Sequence, residues 1–319
     1  MQNRECLLAV EESAFGTPVG TPVVGTSSFY FNLPDSDCFA GVMSPQIQTV
    51  DYGGGIAVPM NVYSDHNVTQ VNWKGLVYPS LQAFLINLHM ARVTGGTAPW
   101  TTSEPTNDLA SASFYSLWTP RGGAAVVKQF AGCKGASLSL DCSRSSPMLA
   151  FSSTLACQKE VGNPIDASSD PTITAPTDTQ LPTGPYLFSH SATNLSFNSA
   201  AVTRYQSLSI KVTNTLDVLC CESHFPQVIA FLGRKITVTF QRLLSTTPNY
   251  RTYWQGLADY AFSVGFNNGA KSFTLGFGAH AHVSAYSQQR AKGKEFLETI
   301  EVTPKWDPST NTDCTISFT

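Results

Sequence analysis

The sequence predicts a mainly β protein with two short helices, organised as a β-α-β unit written twice. Three observations lead there. Period-two alternation of apolar and hydroxyl residues recurs along the chain, only two segments carry a helical period, and charge is scarce. Of 319 residues, 13% are charged, about half the usual share. Glycine (23) and proline (19) supply the turns that many short strands require.

The composition also excludes function classes. A formal net charge of −3 with so few charged residues leaves no basic grip for nucleic acid, no acidic solvating tail and no charged coiled coil. Aromatic residues make up 11% of the chain and hydrophobic residues 42%, enough to build real cores, so disorder is not indicated. The surface must then be covered by hydroxyls and amides, or by other copies of the chain.

The strands come first. Leu138, Leu140 and Cys142 alternate with Ser137, Ser139 and Asp141; Leu208, Ile210 and Val212 alternate with Ser207, Ser209 and Lys211. Ile236, Val238 and Phe240 repeat the pattern, as do Phe273, Leu275 and Phe277, and Cys314, Ile316 and Phe318. Each reads as a half-buried strand with a core face and a hydroxyl-rich face.

The helices follow. Leu81, Phe84, Leu85 and Leu88 stand at i, i+3, i+4 and i+7 behind Pro79, which predicts one amphipathic helix of about three turns. Tyr250, Tyr253, Trp254, Leu257 and Ala261 give a second stripe after Thr247-Pro248-Asn249.

The strand Val68 to Trp73 before the first helix matches Ile236 to Gln241 before the second, so the chain reads as β-α-β written twice. A competing register aligns 137–140 with 207–210 but leaves the helices unmatched. Prolines 164, 171, 176, 182 and 185 mark a connector. The expected organisation is a first domain at 1–160 with an N-terminal arm, a proline-rich linker or arm at 161–185, and a second domain at 186–319. Segments 11–26 and 44–66 read as glycine- and proline-rich loops carrying apolar residues, which suits ordering against a partner.

Side-chain chemistry is not signalled. Gly265 to Ser272 approaches a phosphate-binding loop, but Ala270 replaces the second required glycine and a strand follows where a helix is needed. His280 and His282 form an HxH with no third ligand placed by spacing. No Gly-x-Ser-x-Gly, no distinctive pair of carboxylates and no CxxC occur. The remaining acids read as solvated, and Arg290, Lys292 and Lys294 read as a hairpin tip. The expectation is no catalytic residue, no metal and no cofactor. The eight cysteines read first as small buried hydrophobes in a reducing compartment, with a disulfide framework as the alternative. The N-terminus lacks a signal-peptide pattern and no apolar run reaches membrane-spanning length, so the expected setting is a cytoplasm, without membrane association.

Three short stretches carry a resemblance. Val10-Glu11-Glu12-Ser13-Ala14-Phe15-Gly16-Thr17-Pro18, Lys74-Gly75-Leu76, and Phe130 to Leu140 within Tyr115–Cys157 are similar to segments of bacteriophage tail tube proteins. Gly135 and Ala136 replace the Val-Asn usual in that family's strand. The resemblance implies a tube subunit of a long-tailed, non-contractile phage, with two tube-type β-sandwich or barrel domains, each flanked by an α-helix, whose sheets join neighbours around a lumen. It implies assembly with itself, as trimeric pseudo-hexameric rings in preference to hexamers, stacked into a tube. It further implies a tape-measure protein inside, tail tip and tail terminator proteins at the ends, and DNA passing without specific binding. The setting is the virion tail, assembled in the host cytoplasm.

Within that reading, Ser137, Ser139 and Asp141 in the first half, and Thr299 and Glu301 (with Glu295) in the second, are the lumen-facing candidates, although Leu297 shares their face. Phe15, Val50, Tyr52, Gly53, Gly54, Gly55 and Ile56 are the candidates for ring stacking and inter-subunit contact. Two other readings fit the composition. One is a different virion β protein, such as a capsid, decoration or receptor-binding protein. The other is a carbohydrate-active protein using Trp73, Trp100, Trp118, Trp254 and Trp306.

Overall fold

The computed structural model describes residues 5–12, 14–16, 28–32, 39–50, 61–78, 85–86, 88–90, 100–102, 109–118, 126–161, 184–187, 195–221, 223–245, 249–269, 271–290, 296–308 and 313–318. The predicted strands form. In the first half they are β1 (Glu5–Glu11), β2 (Ser28–Asn32), β3 (Phe39–Val50), β4 (Asn61–Leu76), β5 (Trp100–Thr102), β6 (Ala112–Trp118), β7 (Val126–Ser143), β8 (Ala150–Cys157) and β9 (Lys159–Val161). In the second half they are β10 (Leu195–Phe197), β11 (Ala200–Ala201), β12 (Tyr205–Leu219), β13 (Val228–Leu243), β14 (Phe262–Asn267), β15 (Ser272–Gly276), β16 (Ala281–Arg290), β17 (Phe296–Pro304) and β18 (Cys314–Phe318).

Eight strands form one antiparallel row, in the order β3-β4-β8-β7-β12-β13-β17-β16. The 18-residue β7 serves two layers. Its C-terminal part pairs with β8 and β12, and its N-terminal part pairs with β6 and β9. Gly132, at φ 64, stands between the two parts, in a conformation that costs glycine little. A smaller sheet, β11-β10-β14-β15-β18-β5, makes the second layer over the other half.

Alternation along these strands builds the main core. Leu138, Leu140, Ile210, Val212, Val238, Phe240, Ile300 and Val302 point inward from the row and are buried. Phe240 of β13 stacks against Phe262 of β14 at 6.3 Å, and Trp73 of β4 meets Phe114 of β6 edge-on at 5.3 Å. Those contacts close a sandwich on both halves of the row.

The second helix runs over Tyr250–Gly256, capped by the Asn249 side chain accepting from the Thr252 amide. It ends sooner than the apolar stripe implies. Leu257 takes a left-handed conformation at φ 51 and is exposed, and Ala261 lies beyond the helix next to β14. Of the first helix, residues 85, 86, 88 and 89 are described and helical, and Leu85, Ile86 and Leu88 are buried.

Three expectations are corrected. Residues 44–50 and 61–66 are not loop: β3 and β4 pair through to Val50 opposite Asn61. The cysteines are not all free thiols, because Cys133 and Cys157, neighbours on β7 and β8, are disulfide-bonded. Two acids read as solvated are buried, Glu12 and Glu298, each held by donors that only the folded chain brings together. The glycine-rich segment begins in β14 (to Asn267) and ends in β15 (from Ser272), which pair antiparallel, and between them Asn268 Oδ1 accepts from the Lys271 amide at 2.8 Å.

Candidate functional site

The row repeats itself. β3, β4, β8 and β7 follow one another in the same pairing order as β12, β13, β17 and β16. Val71 and Trp73 of β4 stand opposite Leu155 and Ser153, as Val238 and Phe240 of β13 stand opposite Val302 and Ile300. This correspondence is one residue away from the sequence match of Val68–Trp73 with Ile236–Gln241. A register shift falls between Gly135 and Ser137 on β7, and another between Val283 and Ala285 on β16. Segments 137–140 and 207–210, which the competing register would align, instead lie on neighbouring strands across the seam between the halves, with 137–140 paired to 213–210 and 207–210 to 143–140.

At that seam Leu138 faces Val212 and Leu140 faces Ile210 on the core side, while Ser139 faces Lys211 and Ser137 faces Thr213 on the other. Asn214 donates from Nδ2 to the carbonyls of His89 (2.8 Å) and Gly135 (2.7 Å), all buried. The imidazole of His89 donates through Nδ1 to the Leu85 carbonyl at 2.8 Å and accepts at Nε2 from the Ser153 hydroxyl at 2.9 Å. Burial holds its pKa down to about 4.

The non-core face of the row is a continuous polar surface. Ser137, Ser139 and Asp141 share it with Ser152 and Thr154 of β8, Asn72 and Lys74 of β4, Ser209, Lys211 and Thr213 of β12, and Thr237, Thr239 and Gln241 of β13. Thr299 and Glu301 fall in line with Gln241 and Thr239. The five lumen candidates, picked separately in two halves of the chain, therefore stand on one face of one sheet. Its side chains bond to one another: Ser139 donates to Asp141 at 2.6 Å, Gln241 to Thr299 at 3.4 Å, and Ser284 to Glu301 at 2.9 Å. Leu297 does share this face, paired with Leu243 at its margin. Glu295 lies outside the described residues.

The stacking candidates are placed less fully. Phe15 is half-buried, with Lys134 Nζ 5.0 Å from its ring centroid. Its turn is fixed by Glu12, whose carboxylate accepts from the amides of Gly16 and Gly132 and from the Ser113 hydroxyl. Val50 ends β3. Tyr52, Gly53, Gly54, Gly55 and Ile56 lie outside the described residues. Because β3 and β12 run the same way in the row, the β3–β4 hairpin end and the β12–β13 hairpin end lie on the same side of the sheet. Exposed Leu219, Val228 and Leu232 gather at the second.

Sequence reasoning missed the group behind the β16 edge. Arg242 donates to Glu298 and lies 4.4 Å over the Tyr250 ring, and Tyr286 donates to the other Glu298 oxygen at 2.9 Å. Each residue is unremarkable on its own strand; the partnership exists only across β13, β16, β17 and the helix.

A family described as phage tail tube protein matches residues 2–304. The chain belongs to that family. No curated protein matches it. Tail tube proteins are structural components of the virion tail that assemble with themselves, and theirs is not an enzyme family. In this tail tube protein, groups of three or more potential metal-ligating side chains are absent among the described residues. His280 instead lies 3.4 Å from Asp307. No described helix is long and apolar enough to cross a membrane.

Proposed function

We propose that the eight-stranded row is the inner wall of the tail tube and that its polar face lines the lumen. The observation that carries this is the pairing of a duplicated four-strand unit with itself: the chain already joins two units edge to edge, and among the described residues no further strand pairs with either end of the row. Closure with further copies would remove both edges.

Width selects the stoichiometry. Three rows set edge to edge make a wall of about 24 strands, which at about 4.8 Å spacing and about 40° tilt has a backbone diameter of roughly 50 Å. Six rows would give roughly 95 Å by the same geometry, far wider than a duplex needs. A trimeric, pseudo-hexameric ring is the reading supported, with 1–160 and 186–319 as the duplicated domains and 161–185 as their connector.

The lumen would hold a tape-measure protein during assembly in the host cytoplasm and conduct DNA at ejection. Ser137, Ser139, Asp141, Thr299 and Glu301 would present hydroxyls and acids there. Lys74, Lys211 and Lys235 stand on three different strands among hydroxyls, so the described residues of this face form no continuous basic track to hold the phosphate backbone. The hairpin ends at 50–61 and 219–228, on one side of the sheet, would meet the next ring, together with the arm that carries Phe15. Tail tip and terminator proteins would cover the tube's two ends.

The test is electron microscopy of purified protein. Tubes or stacked rings with three subunits per ring support the reading; a monomer at every concentration and salt would overturn it.

A further inference from the structure

The two edges of the row lie at β3 and β16, and among the described residues neither pairs with a further strand; on β16 a bridge from Tyr260 meets Ala281 at the start of the strand, short of residues 285–289. We propose that β16 of one subunit pairs with β3 of the next in the register of the internal β7–β12 seam. This rests on the tube reading and specifies its subunit contact.

The register follows by transfer. Leu138 stands opposite Ser153 and Leu140 opposite Phe151, as Tyr286 stands opposite Ile300 and Gln288 opposite Glu298. With Ser153 corresponding to Ile300, β7 residues Leu138 and Leu140 correspond to Tyr286 and Gln288. Likewise Phe39 and Gly41 of β3 stand opposite Trp73 and Val71, as Leu208 and Ile210 of β12 stand opposite Phe240 and Val238. Phe39 and Gly41 therefore correspond to Leu208 and Ile210. Carried from the seam pairs Asp141–Ser209, Ser139–Lys211 and Ser137–Thr213, the contact between subunits pairs Gln289 with Ala40, Ser287 with Val42, and Ala285 with Ser44.

Two independent features agree with this register. The seam ladder ends at Thr213, whose counterpart is Ser44, and the next residue is Pro45. Proline has no amide hydrogen to give a ladder, so it is tolerated just past the last pair and would break a ladder shifted across it. The β16 edge is also held in place before any neighbour arrives. Tyr286 is fastened to the Glu298–Arg242 pair, and Trp254 of the helix stacks on it at 6.5 Å. A fixed edge loses little entropy on pairing. The outer half of β16 is polar, with Ser287, Gln288, Gln289 and Arg290 exposed, which limits premature pairing of isolated subunits.

The experiment is cysteine cross-linking in assembled full-length protein, with linked peptides identified by mass spectrometry against single-substitution controls. In-register pairs are Ser287→Cys with Val42→Cys, Gln289→Cys with Ala40→Cys, and Ala285→Cys with Ser44→Cys. Shifted pairs are Ser287→Cys with Ala40→Cys and Ser287→Cys with Ser44→Cys, displaced by about 7 Å along the strand. The expected result is inter-subunit linkage in at least one in-register pair about tenfold above both shifted pairs. Intact tubes in which a shifted pair links best, or in which no pair links, overturn the strand contact and leave the tube reading standing. Failure of the unsubstituted protein to form rings or tubes removes the tube reading, and this contact with it.

Discussion

The side-chain amide of Asn214 on β12 reaches the carbonyl of His89, 2.8 Å away, and so ties the second half of the chain to the helix of the first. The same amide binds the Gly135 carbonyl beside the β7 register shift. The seam between the duplicated units is therefore closed by buried polar bonds as well as by Leu138, Leu140, Ile210 and Val212. Asn214→Ala leaves two buried carbonyls without this donor and is expected to cost about 1–3 kcal/mol, read as a lower urea midpoint at unchanged slope. Ile210→Ala, at the apolar part of the seam, should cost about 2–5 kcal/mol in the same measurement.

His89 makes the subunit sensitive to acid. Its folded pKa of about 4 lies below the ordinary 6.5, so the unfolded chain takes up the proton first. The stability that the neutral imidazole supports is full above pH 6.5 and is lost as pH falls toward 4, by roughly 3 kcal/mol in all. Urea melts between pH 7.5 and 4 should show this loss, and His89→Gln should flatten it. An unchanged slope in that variant would assign the acid sensitivity elsewhere.

Arg242 and Glu298 are both almost fully buried. Removing one partner strands a charge, so Glu298→Leu or Arg242→Leu should each destabilise by about 3–5 kcal/mol, whereas replacing both with apolar residues should recover much of the loss. Glu298→Leu also takes away the acceptor of Tyr286. Its effect should extend to faster hydrogen exchange along β16.

Glu12 gathers three donors around its carboxylate, from Gly16, Gly132 and Ser113. Glu12→Ala should release the turn that carries Phe15 and lower stability by about 1–3 kcal/mol. Limited proteolysis should then cleave near residue 16 faster than in the parent protein.

The sequence displayed its strands well, because burial on one face imposes a period of two that survives in Leu138-Ser139-Leu140 or Val238-Thr239-Phe240. It displayed the polar face for the same reason, and the lumen candidates of both halves fell on it. Pairing was less legible. Leu208-Ser209-Ile210 resembles Leu138-Ser139-Leu140 because the two are neighbours sharing one core, and nothing in either string separates adjacency from equivalence. The β3–β4 hairpin was hidden by Pro45, which an edge strand tolerates. Arg242 and Glu298 lie far apart in the chain, and only the β13–β17 register brings them together. Gly132 and Gly135 gave no sign of their work, although a side chain at Gly135 would meet His89 Cδ2 at 2.4 Å.

The central claim is that one duplicated sheet forms the tube wall with its hydroxyl face inward. A cryo-electron microscopy map of the assembled tube tests it most directly. The account predicts three subunits per ring, an unbroken inner barrel of about 24 strands, and Ser137, Ser139, Asp141, Thr299 and Glu301 on the lumen surface. A ring of six chains, or a map with those five residues on the outside of the tube, would contradict it.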